Sequence, residues 1–118
     1  MGKSRRSRAT EFGKCVRENI KARDGGCIFC KMKYRMPEEG AYGTSQFQIM
    51  HFIPRSQGGR GIQENGAVGC LYHHEMLDNG KGTRKEMLEL FEGYLKERYP
   101  LWDKMDLYYR KGMRNDSK

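Results

Sequence analysis

Apolar residues recur along the chain with two periods, helical and alternating, and each run predicts an element. In residues 10–23, Phe12, Val16 and Ile20 fall four apart, which places them on one face of an amphipathic helix with Thr10 as its cap. Asp24, Gly25 and Gly26 end that helix. Residues 46–53 read as a strand, with Phe47, Ile49 and His51 on one face and Gln48, Met50 and Phe52 on the other. Pro54 stops regular pairing, Gly58, Gly59 and Gly61 make a loop, and a second short strand is expected near Ala67 and Val68. Residues 71–78 read as a helix closed by Asn79-Gly80. After Gly82, Thr83 caps a longer helix whose stripe of Met87, Leu88, Phe91, Tyr94 and Leu95 is packing, not chemistry. Pro100 breaks it, and residues 101–111, with Trp102, Leu107, Tyr108 and Tyr109, are expected to fold back as a short helix over the core. The stretch 31–45, with Pro37, Gly40 and Gly43, is an irregular connection, and no segment repeats. Helices and strands that do not alternate make an α+β domain.

Composition narrows the picture. A chain of 118 residues with 36% hydrophobic content makes one domain with a modest core, and domains this small often lean on a metal or a cross-link. Residues 1–9 carry Lys3, Arg5, Arg6 and Arg8 among small polar residues, so they read as a flexible basic arm. Residues 10–111 form the single domain and 112–118 a tail. The formal charge of +8 points to a polyanion, since clustered Lys and Arg release counterions from phosphates. The arm then lies along a DNA backbone or serves as a solubilising tail. No apolar run is long enough to cross a bilayer, and no apolar signal core follows the basic start. The expectation is an intracellular, cytoplasmic protein without a membrane partner. In a reducing compartment cysteines are better read as metal ligands than as disulfides. Cys27-Ile28-Phe29-Cys30 is a knuckle whose two-residue gap turns both sulfurs toward one tetrahedral ion. Cys15 stands apart and is expected as a buried or half-buried free thiol.

All three histidines fall in residues 47–78. Met50-His51-Phe52-Ile53-Pro54-Arg55-Ser56-Gln57-Gly58-Gly59, then Glu64-Asn65, then Cys70-Leu71-Tyr72-His73-His74 and Asp78 follow in order. With the upstream Cys27-x-x-Cys30 pair, this resembles the HNH endonuclease family over about residues 17–78. Three positions depart from the family's pattern: Met50 for an acid or histidine, His73 for a cysteine, and Asp78 for a histidine. The resemblance implies a ββα-metal (His-Me finger) core, stapled by zinc and flanked by N- and C-terminal helices, the latter in residues 83–111. It also implies a metal-dependent DNA endonuclease that leaves 5′ phosphates.

Residue by residue, Cys27, Cys30, Cys70 and His73 would close a structural zinc site, a donor set that suits zinc better than an iron–sulfur cluster. His73 and His74 diverge by about 100° on a helix, so they serve separate sites. His74 and Asp78, one turn apart, are candidate ligands for a catalytic magnesium, manganese or nickel ion; Asp78 as a cap of the Asn79-Gly80 turn is the other reading. His51 occupies the position of the family's general base. Asn65 matches the middle residue that orients the loop. Arg55 is the candidate phosphate clamp or else a solvated turn residue, and Lys3, Arg5, Arg6, Arg8, Arg55 and Arg60 are the candidate DNA contacts. A zinc-stapled DNA-binding module that has lost cleavage is the alternative, supported by Met50.

Overall fold

The computed structural model describes residues 4–38, 43–80 and 82–110, and shows a small α+β fold around a two-stranded antiparallel sheet. The elements in order are α1 (Arg5–Thr10), α2 (Lys14–Asp24), α3 (Ile28–Lys31), β1 (Phe47–His51), β2 (Gly66–Cys70), α4 (Leu71–Asn79) and α5 (Arg84–Arg98). Short 3-10 turns at Arg55–Gln57, Gln63–Asn65 and Lys104–Leu107 complete the order. β1 and β2 pair with Phe47 opposite Cys70 and His51 opposite Gly66.

The sheet separates two cores. On one face Val16 and Ile20 of α2 pack with Val68, Phe12 and Ile49. On the other, Met50 and Ala67 join Ile28, Phe29, Phe52, Leu77, Met87, Phe91, Leu95 and Leu107. This double cover explains why every residue of β2 is buried and why its sequence is so small-residued. A Cβ on Gly69 would come 2.4 Å from the Met50 sulfur.

Several expectations are corrected. Arg5, Arg6 and Arg8 lie on a short helix, α1, where a stretch without secondary structure was expected. Ser4 accepts the Ser7 N–H and opens α1, and the helix docks through Gly61 N–H to the Ala9 carbonyl at 2.8 Å. Lys3 and residues 111–118 lie outside the described residues. The helix expected from Thr10 begins at Lys14 with Gly13 as its cap, while Thr10 closes α1 instead. Gly25, at φ 64°, ends α2 in the left-handed conformation glycine favours. Cys15 is exposed, because it sits beside Val16 and points away from the packed face. Thr83 is the N-cap residue of α5, its carbonyl accepting the Met87 N–H at 2.9 Å, but its hydroxyl turns to the Met76 carbonyl and makes no side-chain cap.

The last segment is not a helix beyond the turn Lys104–Leu107. Its backbone joins the loop after β1 instead: Arg60 N–H donates to the Leu107 carbonyl at 2.8 Å and Tyr109 N–H to the Gly58 carbonyl at 2.7 Å. It does cover the core, with Trp102 edge-on to Phe52 at 5.7 Å and Leu107 buried. Gly59 is held in that loop because a Cβ would fall 1.7 Å from the Ile53 carbonyl oxygen.

Candidate functional site

Cys27 opens α3 and Cys30 lies on it, Cys70 ends β2, and His73 sits in the first turn of α4. His73 Nδ1 lies 3.6, 3.5 and 3.3 Å from the sulfurs of Cys27, Cys30 and Cys70, and the Cys30 and Cys70 sulfurs are 3.8 Å apart. A tetrahedral zinc with sulfur bonds of about 2.3 Å and a nitrogen bond of about 2.0 Å would set sulfur pairs about 3.8 Å apart and sulfur–nitrogen pairs about 3.5 Å apart. The four donors all fall within 4.8 Å of one another. They are close enough to hold one metal ion, and the set is compatible with structural zinc.

The surroundings favour a cation. His73 Nε2–H donates to the Tyr34 carbonyl at 2.7 Å, so the Nδ1 lone pair faces the sulfurs, the outer-shell arrangement that orients a ligating imidazole. Cys30 N–H points at Cys27 Sγ at 3.4 Å and His73 N–H at Cys70 Sγ at 3.5 Å. Burial pushes the Cys27 thiol up, but its contact with the His73 ring and hydrogen bonds from the backbone of Cys70 and Cys30 outweigh it and bring it down to about 6. Burial and the neighbouring Cys27 charge then push Cys30 up to about 12, and burial raises Cys70 as well. Three sulfurs this close cannot all ionise alone, whereas a divalent ion among them makes all three thiolates favourable.

His51 ends β1 on the opposite, α2 side of the sheet. Its Nε2–H donates to the Thr10 carbonyl at 2.8 Å, which leaves Nδ1 as the lone-pair atom. Phe12 covers its ring at a centroid distance of 4.1 Å. Burial lowers its pKa below the ordinary imidazole value, the charges of Arg55 and His74 lower it further, and the Thr10 acceptor opposes them. Asn65 is fully buried. Its Oδ1 accepts the Ile53 N–H at 2.7 Å and its Nδ2 donates to the carbonyls of Ile53 at 3.1 Å and Arg60 at 2.8 Å. These three bonds tie the loop after His51 to the return into β2. Asn65→Ala should cost about 1–3 kcal/mol by orphaning those groups, read as a lower midpoint in urea.

His74 and Asp78 come together as expected, Nε2 to Oδ2 at 3.3 Å. Gln48 Oε1 meets the other nitrogen, Nδ1, of His74. With Nδ1–H donating to Gln48, Nε2 presents a lone pair to a carboxylate oxygen. Met50 adds nothing to that pair, being fully buried in the main core.

A groove of about 870 Å³ runs along β1, lined by His51 and Arg55 together with Phe12, Phe47, Ile49, Val68, Glu11, Arg17 and Lys21 among others. Arg55 is exposed there, its Nε on the Thr10 hydroxyl at 3.3 Å and its Nη2 on the Ser7 carbonyl at 3.2 Å. Arg6 holds the carbonyls of Arg55 and Ser56 from α1, each at 3.3 Å. Arg60 lines a second pocket, with Glu64, Trp102, Asp103 and Asp106, and is not in the groove. Arg17 and Lys21 were missed by reading only the apolar face of their helix. The signal was present, since Lys14, Arg17 and Lys21 recur at helical spacing. Among the described residues no helix is long and apolar enough to cross a membrane. No protein-family model, curated protein or solved structure matches the chain.

Proposed function

We propose that this chain is a metal-dependent DNA endonuclease of the HNH kind, its fold stapled by zinc on Cys27, Cys30, Cys70 and His73. The observation that carries the reading is the state of His51: half-buried in a basic groove, its Nε2–H committed to the Thr10 carbonyl and its pKa lowered by burial. A neutral imidazole with a free Nδ1 is the form a general base needs. In the proposed reaction Nδ1 takes a proton from water as the water oxygen bonds to phosphorus, and the bond to the 3′ oxygen breaks. Asn65 keeps the loop carrying His51 in register. Arg55 and the α1 arginines hold the DNA backbone, Arg55 using the hydrogens not spent on Ser7 and Thr10. His74 and Asp78 would hold a magnesium, manganese or nickel ion, whose charge would stabilise the phosphate oxygens as the bond breaks.

The test is nicking of supercoiled plasmid with each ion added in turn. His51→Ala should lose about 10²–10⁴-fold in rate while binding DNA as before. Because burial lowers the His51 pKa, the base stays neutral further into acid, so the acid limb of the nicking rate should lie below about pH 6.5. A His51→Ala variant that nicks at the parental rate would remove His51 from the chemistry. The second reading, a DNA-binding module that no longer cuts, is favoured by one observation: a fully buried Met50 where the family has a metal ligand. It predicts plasmid binding with no nicking under any of the three ions.

A further inference from the structure

Phe47 opens β1 and is 56% exposed. A single exposed ring means little, but its setting is specific. β1 has no partner on its outer edge among the described residues. Phe47, Ile49 and His51 share one strand face along the groove, and the four steps from Phe47 to His51 span about 13 Å. Around this apolar floor the lining holds Arg17, Lys21 and Arg55 against one acid, Glu11. An aromatic platform flanked by cations is the combination that binds single strands, the ring stacking a base and the cations tracking its phosphates. A base inside a duplex has both faces covered by its neighbours, so only an unpaired one can meet Phe47.

We infer that the groove takes an unpaired stretch of DNA, one base stacked on Phe47 and the adjoining phosphates on Arg17, Lys21 and Arg55. The strand cut at His51 is then single-stranded or frayed, and the stacked base belongs to a neighbour of the nucleotide that is cut. This rests on the groove being the DNA site proposed above.

The experiment measures affinity by fluorescence anisotropy for a labelled single-stranded oligonucleotide and a hairpin duplex of matched composition, without added divalent ion so that nothing is cut. Phe47→Ala should weaken single-strand binding by about tenfold, the size of a lost base–aromatic stack, and leave the duplex unchanged. Phe47→Trp should restore the single-strand affinity, and a thermal melt checks that both variants fold. Arg17→Ala with Lys21→Ala should weaken binding and flatten its salt dependence. Equal loss on both substrates, or loss on neither, overturns the inference. So does a Phe47→Ala variant that binds DNA as before but sediments as a monomer where the parent is a dimer, which would give the open edge of β1 to a second copy. A Phe47-dependent single-strand preference with no nicking would sink the nuclease and keep this inference. Nicking through His51 with binding indifferent to Phe47 would do the reverse.

Discussion

Cys70→Ser should cost the chain its folded state at body temperature and, by breaking the proposed zinc site, its metal at the same step. A structural zinc site contributes about 10–16 kcal/mol of apparent binding free energy at neutral pH, and a domain of this size has only about 5–15 kcal/mol of net stability in all. Cys70 is fully buried and ends β2, one residue before α4 begins, and Cys27 and Cys70 are both part of the main core. Breaking the set therefore loosens α3, β2 and α4 together. A serine hydroxyl would sit beside two sulfurs and an imidazole, with the Cys30 thiol already pushed up by burial and by the charge of Cys27. Zinc content by elemental analysis and the thermal melt should fall in parallel, and a chelator should reproduce the effect in the parent protein. Cys15→Ser is the control: Cys15 is exposed and outside the cluster, so it should change neither. If Cys70→Ser keeps both its zinc and its melting temperature, Cys70 is not a ligand and the stapling role fails.

The four clustered donors were legible because few residue types bind such an ion and short gaps constrain where their side chains can point. Asn65 was legible for a related reason, since its neighbourhood has the order of a known motif and an amide there can bridge backbone on both sides. What stayed hidden came from backbone groups of distant segments. The Tyr34 carbonyl that orients His73 and the Thr10 carbonyl that orients His51 carry no mark in the sequence, because every residue has a carbonyl and only the fold aims it. The helical form of α1 was hidden for the same reason: its charge pattern argues for a solvated arm, and the bonds from Gly61 and Arg55 that hold it are tertiary. The end of the chain misled in the opposite sense. Its aromatic residues do bury against the core, but the backbone of residues 107–109 satisfies the glycine loop at 58–60 as a strand would. A burial pattern cannot distinguish that from a helix over so short a span.

Asp24→Ala should be the most damaging substitution outside the metal cluster, at about 3–5 kcal/mol, although the sequence offers Asp24 only as a turn residue before Gly25. The residue is fully buried, and both its oxygens are taken. Arg23 Nε donates to Oδ1 at 2.6 Å and Nη2 to Oδ2 at 2.9 Å, Val68 N–H donates to Oδ2 at 2.8 Å, and the Tyr94 hydroxyl donates to Oδ1. Arg23 in turn donates to the carbonyls of Gly66 at 2.7 Å and Gln63 at 3.0 Å. Val68 N–H and the Gly66 carbonyl belong to the side of β2 turned away from β1, so the Arg23–Asp24 pair closes that sheet edge as a further strand would. Burial opposes the Arg23 charge, but Asp24 and the Tyr99 hydroxyl hold it protonated well above its ordinary range, and burial with the Asp24 bond pushes the Tyr94 hydroxyl up to about 12. Removing the carboxylate leaves a guanidinium that is only 13% exposed without its counter-charge, and orphans the Val68 N–H. Asp24→Asn keeps the shape and part of the bonding, so it should lose less, about 1–3 kcal/mol. Urea melts of both variants decide the matter, and an Asp24→Ala midpoint within error of the parent would show that the network contributes nothing. The consequence reaches the groove: the same pair fixes the end of α2, which carries Arg17 and Lys21, against the sheet that carries His51. In any folded Asp24→Asn protein the proposed DNA binding should therefore weaken while the metal content of the cysteine cluster stays whole, a separation that the loss of a cysteine ligand cannot produce.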